Sequence, residues 1–281
     1  DLAEAISSYT SLPRQEAFDI EYWLLEEAKL QRMPKEKPLS RQVALVTGAG
    51  GGIGRAIADK LIAEGAVVIF SDISDDFLAE ATVNYSTDQA ISVNCNVTDD
   101  EEIDNMLNQS CLAFGGVDII VHSAGLAISK SIENTSDNDW ELIQGVLVKG
   151  QFKLAKRASK TFNKQKLGGN IVNIASKNGL VSGPNNVGYG TAKAAQIHMS
   201  RLLAAELAAD DVRVNTVNPD GVIVGSKIWE GDWAEGRAKA YGITVEELPA
   251  YYAKRNLLNK IITPTDIANG VFVFLGVLDK C

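Results

Sequence analysis

Two periods of apolar positions alternate along this chain from residue 43 onward. Six short runs have strand length and are rich in β-branched residues: Val43 to Thr47, Val67 to Phe70, Ile91 to Cys95, Val117 to Val121, Asn170 to Ile174 and Val212 to Val217. Segments of helical length separate most of them. Ile53 to Glu64 is one, and 187–209 is another whose small and apolar residues suggest a buried helix. Continuous apolar strands alternating with helices predict an α/β fold, its parallel sheet covered on both faces. No internal repeat or low-complexity tract is visible.

Residues 1–40 follow a different pattern. Phe18, Ile20, Tyr22, Trp23, Leu24 and Leu25 precede Glu26, Glu27, Ala28, Lys29 and Leu30, which reads as an amphipathic helix. Met33 to Ser40 carries two prolines and three charges, a linker composition. The expected plan is therefore a helical extension and linker over 1–40 and one domain over 41–281. The chain opens on Asp1 and closes at Cys281 just after an apolar run, so it reads as a piece of something longer, truncated at the C-terminal end.

Composition narrows the function classes. With 46% hydrophobic and 22% charged residues the chain is globular. A net charge of −9 argues against a sequence-independent hold on nucleic acid or anionic membrane. No apolar run approaches the roughly 20 residues that cross a bilayer, and no signal peptide opens the chain. Cys95, Cys111 and Cys281 are odd in number and scattered, which suggests reduced thiols in a cytoplasmic protein. The Asn-x-Ser/Thr matches at Asn84, Asn96, Asn108 and Asn134 are read as chance. His122 and His198 have no metal-ligand spacing and are read as structural, with no metal site expected.

The first chemistry-bearing motif joins the first strand to the first helix: Thr47-Gly48-Ala49-Gly50-Gly51-Gly52-Ile53-Gly54. Gly48 permits a tight turn, Gly52 lets a phosphate approach the backbone, and Gly54 lets the helix pack near the strand. Strand before and helix after is the context that makes this a dinucleotide loop. Asp72 follows at the end of the second strand, where a carboxylate can accept hydrogen bonds from the ribose hydroxyls and repel a 2′-phosphate. Ala49, Gly50 and Gly51 offer no cation to such a phosphate. This favours NAD. The competing reading of Asp72 is a residue that begins a turn.

The second motif is Tyr189-Gly190-Thr191-Ala192-Lys193, with Tyr and Lys one turn apart on a predicted helix. A phenol with a pKa near 10 is a poor base at neutral pH. A nearby ammonium, with the positive charge of an oxidised nicotinamide, is expected to lower it. Tyr189 could then take a hydroxyl proton as hydride leaves the same carbon, and Ser176 could hold the substrate oxygen.

Taken in order, Thr47-Gly48-x-x-x-Gly52-Ile53-Gly54, Asp72, Ser176, Tyr189 and Lys193 resemble the short-chain dehydrogenase/reductase family over about residues 41–281. The resemblance implies a Rossmann-type doubly wound sheet, an NAD-dependent oxidoreductase with a small-molecule substrate, and a homo-oligomer. It places Asn96 and Val97 at the adenine, Ala124 and Gly125 beside the cofactor, and Pro219 to Val222 at the nicotinamide, with Tyr189 and Lys193 also touching the cofactor. Departures accompany it. His122-Ser123-Ala124-Gly125 stands for the family's Asn-Asn-Ala-Gly, Asn96 for an Asp, and Pro219-Asp220 for Pro-Gly. Leu147 occupies the place of a fourth catalytic residue, an Asn, so that only its backbone carbonyl could hold a water linking Lys193 to solvent.

The segment Phe18 to Leu30, with Ala175-Ser176-Lys177-Asn178 and Asn218-Pro219-Asp220, is similar to bifunctional rhamnulose-1-phosphate aldolase/short-chain dehydrogenases. That resemblance implies a fused upstream aldolase domain, a place in rhamnose catabolism, and lactaldehyde oxidised to lactate. Residues 225–259 hold Trp229, Trp233, Tyr241, Tyr251 and Tyr252, an aromatic insert read either as a lid or as ordinary packing. The alternative from another class is a catalytically silent NAD-binding module that regulates or scaffolds a partner; Leu147 favours it, and the intact Ser176, Tyr189 and Lys193 favour an enzyme.

Overall fold

The computed structural model describes Pro13, 15–16, Asp19, 28–29, 31–32, 35–223, 225–226, Trp229 and 232–276. The chain divides into two compact units, 1–37 and 38–281. In the first, 15–16, Asp19, 28–29 and 31–32 are helical, and Gln15 Nε2 donates to Asp19 Oδ1 at 2.9 Å, one turn away. Most of the stretch Phe18 to Leu30, expected as an amphipathic helix, lies outside the described residues.

The second unit begins with β1 (Val43–Thr47), α1 (Gly52–Ala63), β2 (Val67–Asp72), α2 (Asp75–Thr82) and β3 (Ala90–Asn94). Next come α3 (Asp100–Phe114), β4 (Ile119–His122), α4 (Asp137–Gln144), a π-helical turn (Gly145–Lys149), α5 (Gly150–Gln165) and β5 (Gly169–Ile174). It closes with α6 (Val187–Leu207), β6 (Val212–Val217), α7 (Asp232–Tyr241), α8 (Leu248–Ala253) and α9 (Pro264–Phe274). The six strands form one sheet in the order β3-β2-β1-β4-β5-β6, every neighbouring pair parallel.

Both faces of the sheet are buried, as the unbroken apolar strands require. Along β1, Ala44 and Val46 pack with Ile57 and Leu61 of α1 and with Ile267 and Val271 of α9. The alternate residues Val43 and Leu45 pack with Ile103 and Met106 of α3 and with Leu154 and Phe162 of α5. The fold is the Rossmann-type α/β sandwich that the strand–helix alternation implies. Its strand order reverses between β1 and β4, and at that switch point the loops leaving the two strands part to open a crevice at the sheet's C-terminal edge.

One strand boundary differs from the sequence pattern. Val117 reads as strand, yet its N–H donates to Gln165 Oε1 at 2.9 Å and its C=O accepts from Gln165 Nε2 at 2.8 Å. A side-chain amide replaces the neighbouring strand there, and β4 starts at Ile119.

Candidate active site

The glycine loop turns at Gly48, whose φ is +66°. A Cβ on Gly54 would stand 2.0 Å from Gly48 O, and one on Gly48 would stand 2.8 Å from the Ala124 backbone. Sequence reasoning gives Gly54 the task of letting helix meet strand; the structure shows the contact to be with the turn itself. Helix α1 opens at Gly51 with no side-chain cap and no acidic residue in its first turn. Its first N–H groups and the positive end of its dipole are thus available to an anion. A cradle that excludes side chains, at an uncapped helix start, fits a pyrophosphate.

Asp72 ends β2 and does two jobs. Its Oδ2 accepts from Gly50 N–H at 3.1 Å and its Oδ1 from Ser74 N–H at 3.2 Å. The carboxylate therefore begins a turn, as the competing reading held, and also pins the glycine loop while lining the same cavity. Gly50 escaped the sequence reading: a Cβ there would meet Phe77 Cβ at 2.6 Å and Asp72 Oδ2 at 2.9 Å. Asn96 turns its Oδ1 onto Thr98 N–H and Oγ1 at 3.0 and 2.8 Å. An Asp could accept the same two bonds, so the exchange leaves this turn intact.

Thr47, at the end of β1, ties the loop after β4 to the glycine turn. Its Oγ1 accepts from Ser123 N–H and Ala124 N–H, each at 3.2 Å, and lies 3.2 Å from His122 Nδ1. With both oxygen lone pairs engaged, the hydroxyl proton points at Nδ1 and leaves the imidazole proton on Nε2. Burial, and then the Lys193 charge, hold the His122 pKa down at about 3. His122 is a neutral packing residue.

Ser176, Tyr189 and Lys193 are brought together and buried. Ser176 follows β5 and its Oγ accepts from Asn178 N–H at 3.2 Å. Lys193 Nζ donates to Ile174 O at 2.9 Å and lies 5.6 Å from the Tyr189 ring centroid. The expected lowering of the phenol counted the charge of an oxidised nicotinamide as well as the ammonium, and in the protein alone burial acts the other way. Burial pushes the Tyr189 phenol up to about 12, against a hydrogen bond with Ser176 that lowers it. Burial takes Lys193 from 10.5 to about 7. In the protein alone burial thus leaves Tyr189 a phenol and brings the proton exchange of Lys193 near neutrality.

The candidate catalytic and cofactor-binding residues Gly48, Gly52, Ile53, Gly54, Asp72, Asn96, Val97, Ala124, Gly125, Ser176, Tyr189, Lys193, Pro219 and Val222 line one cavity of about 510 Å³, whereas Leu147, in the place of the fourth catalytic residue, does not. The short chain dehydrogenase family profile matches residues 42–231. The chain belongs to the short chain dehydrogenase family.

The chain is 40% identical over 276 residues to an uncharacterized oxidoreductase of Bacillus subtilis, covering 97% of the present chain and 40% of that protein's length. It is 33% identical over 178 residues to the meso-2,3-butanediol dehydrogenase of Serratia marcescens, covering 63% of this chain and 70% of that one. A variant of the actinorhodin polyketide ketoreductase, solved with NADPH, superposes with a TM-score of 0.77 at 25% identity, covering 86% of this chain and 92% of that one. A second profile, aldolase class II, second domain, matches residues 1–30. The chain is thus a member of an oxidoreductase family whose members bind a nicotinamide cofactor, and it spans 40% of the length of its Bacillus subtilis relative.

Two features of the dehydrogenase site were not legible beforehand. The π-helical turn at Gly145–Lys149 places the fully buried Leu147 against Gly125 and in one apolar cluster with Tyr189. The Leu147 carbonyl, expected to be available to a water, accepts from Gln196 Nε2 at 2.8 Å and keeps a second lone pair. Gln196 had no motif to flag it. The aromatic insert divides between the two readings. Trp229, Trp233 and Tyr252 line the cavity, with Trp233 5.3 Å from Tyr189 between ring centroids. Tyr241 and Tyr251 stack on each other at 4.6 Å, outside the cavity lining. Among the described residues no helix is long and apolar enough to cross a membrane, and no group of three or more His, Cys, Asp or Glu could hold a metal ion.

Proposed function

We propose that this chain is an NAD-dependent dehydrogenase acting on a small hydroxy or carbonyl substrate. Lactaldehyde, oxidised to lactate, is the favoured candidate, in a protein whose upstream domain is an aldolase and whose dehydrogenase domain spans 41–281. The observation that carries the reading is the shared cavity, in which Ser176, Tyr189 and Lys193 stand at one end of β5 and α6 and the Asp72 carboxylate stands at the end of β2. The Asp72 charge favours a free ribose 2′-hydroxyl over a 2′-phosphate, which supports NAD. The aldolase match over residues 1–30 supports the fusion.

A dinucleotide whose pyrophosphate lay in the glycine cradle would supply the hydride acceptor through its nicotinamide. The protein's part is positional and protonic. The Ser176 hydroxyl donates to the substrate oxygen, and Tyr189 takes the hydroxyl proton as the C–H bond breaks while its own phenolic proton passes toward the unprotonated amine of Lys193. Lys193, with its pKa at about 7, relays that proton at neutral pH. For an aldehyde the donor is its hydrate, which loses one C–H hydride and one O–H proton to give the acid. In reverse, Tyr189 is already the phenol that a carbonyl oxygen needs.

The test follows nicotinamide absorbance with NAD or NADP and lactaldehyde. Turnover with NAD, and a loss of about 10²–10⁴-fold in Tyr189→Phe, are expected. Equal turnover by Tyr189→Phe refutes the mechanism. The second reading, a silent NAD-binding module, draws on the Leu147 carbonyl being held by Gln196. NADH binding with no turnover of any hydroxy or carbonyl compound would establish it.

A further inference from the structure

The segments Ser176-Lys177-Asn178 and Asn218-Pro219-Asp220 leave β5 and β6, and the proposed reaction uses only Ser176 of them. The fold brings the rest of them together. Lys177 N–H donates to Pro219 O at 3.0 Å. Lys177 Nζ lies 3.3 Å from Asp220 Oδ1, and Arg255 Nη2 lies 3.5 Å from Asp220 Oδ2. Arg255 in turn stacks 4.6 Å over the Tyr252 ring. The next residue, Gly221, has φ +63°, and a Cβ there would stand 2.2 Å from the Tyr252 ring. Asp220 is held by a cation on each carboxylate oxygen, and the chain after it turns at a position that only glycine fits.

So fixed, Asp220 lines the cavity with Asn178, Ser226 and Tyr252, while Leu126, Trp229 and Trp233 join the apolar cluster around Tyr189. Burial raises the Asp220 carboxyl, opposed by the nearby Arg237 charge, which marks the group as partly desolvated. Each carboxylate oxygen has more lone pairs than its one cation uses. At a wall of the cavity, with its side chain 35% exposed, such a carboxylate can accept from a neutral hydroxyl donor and repels a second anion. Its anchor, Lys177, directly follows Ser176, and the carboxylate lines the same cavity as Ser176 and Tyr189.

We propose that Asp220 is a specificity-determining residue whose carboxylate accepts a hydrogen bond from a second substrate hydroxyl, on the carbon next to the one that reacts. The substrate class is then the vicinal diols and the α-hydroxy aldehydes and ketones, in preference to simple alcohols and aldehydes. This rests on the hydride-transfer reading above and refines its substrate.

The test compares propylene glycol with isopropanol, and lactaldehyde with propanal, in the wild-type chain, Asp220→Asn and Asp220→Glu. The wild type should favour the hydroxylated member of each pair by at least about tenfold in kcat/KM. Asp220→Asn should remove most of that preference through KM, and Asp220→Glu, which keeps the charge but moves it, should remove part of it. Should Asp220→Asn fail to fold by circular dichroism, Asp220→Glu carries the comparison. A binding arm titrates propylene glycol onto the NADH-loaded protein and reads fluorescence of the cavity tryptophans Trp229 and Trp233. Binding should weaken about tenfold in Asp220→Asn. Equal loss toward both members of a pair means that Asp220 only struts the loops together, and overturns the proposal. Unchanged diol binding in the variant overturns it too. Absence of all turnover, with diol binding that still depends on Asp220, refutes hydride transfer and leaves this assignment standing.

Discussion

Lys193 is the residue whose burial disfavours folding most plainly. Its side chain is 5% exposed, it donates to Ile174 O at 2.9 Å, and its pKa falls from 10.5 to about 7 by desolvation. Lys193→Met keeps the length and shape of the side chain and removes the titration. One pKa unit is about 1.4 kcal/mol, so at neutral pH protonation of Lys193 favours the unfolded chain by roughly 4 kcal/mol. Losing the hydrogen bond to a buried carbonyl costs the variant about 1–3 kcal/mol. The variant should therefore be more stable than wild type by about 1–3 kcal/mol near neutrality, and much less active. The pH dependence identifies the cause. Above about pH 10.5 neither folded nor unfolded Lys193 is protonated, and the group contributes nothing. As pH falls from there to about 7, only the unfolded chain takes up the proton, and wild-type stability declines; below about 7 both forms hold it and the loss is constant. The stability gap between variant and wild type should thus narrow by about 2 kcal/mol between about pH 7 and about pH 9. Urea unfolding at the two pH values measures it. A gap that stays the same at both refutes the assignment of a neutral, desolvated Lys193.

Further substitutions test the rest of the site. In an ordinary helix position Gly→Ala stabilises by about 1 kcal/mol, but Gly54→Ala puts a Cβ 2.0 Å from Gly48 O. It should cut NADH affinity at least about tenfold in a calorimetric titration; affinity equal to wild type would mean that this turn is not the cradle. Asp72→Ser removes the carboxylate that takes Gly50 and Ser74 N–H groups. The kcat/KM ratio of NAD to NADP should drop by about tenfold or more, and an unmoved ratio would separate Asp72 from cofactor choice. Gln196→Leu leaves the Leu147 carbonyl without its 2.8 Å donor. It should destabilise the protein by about 1–3 kcal/mol in urea, and no loss would show that the π-helical turn does not depend on Gln196.

Sequence by itself determined what short-range physics controls. Apolar runs such as Val43 to Thr47 must be buried on both faces, and the chain alternates them with helices, so a parallel sheet between two layers follows. The glycine loop was legible because a tight turn and a close approach demand glycine at particular steps. Tyr189 and Lys193 were legible because four residues make about one helical turn. Tertiary structure decided whatever depends on partners far along the chain. The Val117 backbone bonds a glutamine side chain 48 residues away, which no strand pattern encodes. The Leu147 carbonyl meets Gln196 across 49 residues, at a π-helical turn too short to leave a period. The Tyr189 pKa rises because the fold buries the ring beside Trp233, a desolvation no spacing could disclose. Asp220 stood in the sequence as a lone departure from Pro-Gly; only folding set Lys177 and Arg255 against its two oxygens. Local periods fix the elements, while charge and solvent exclusion belong to the neighbours that the fold supplies.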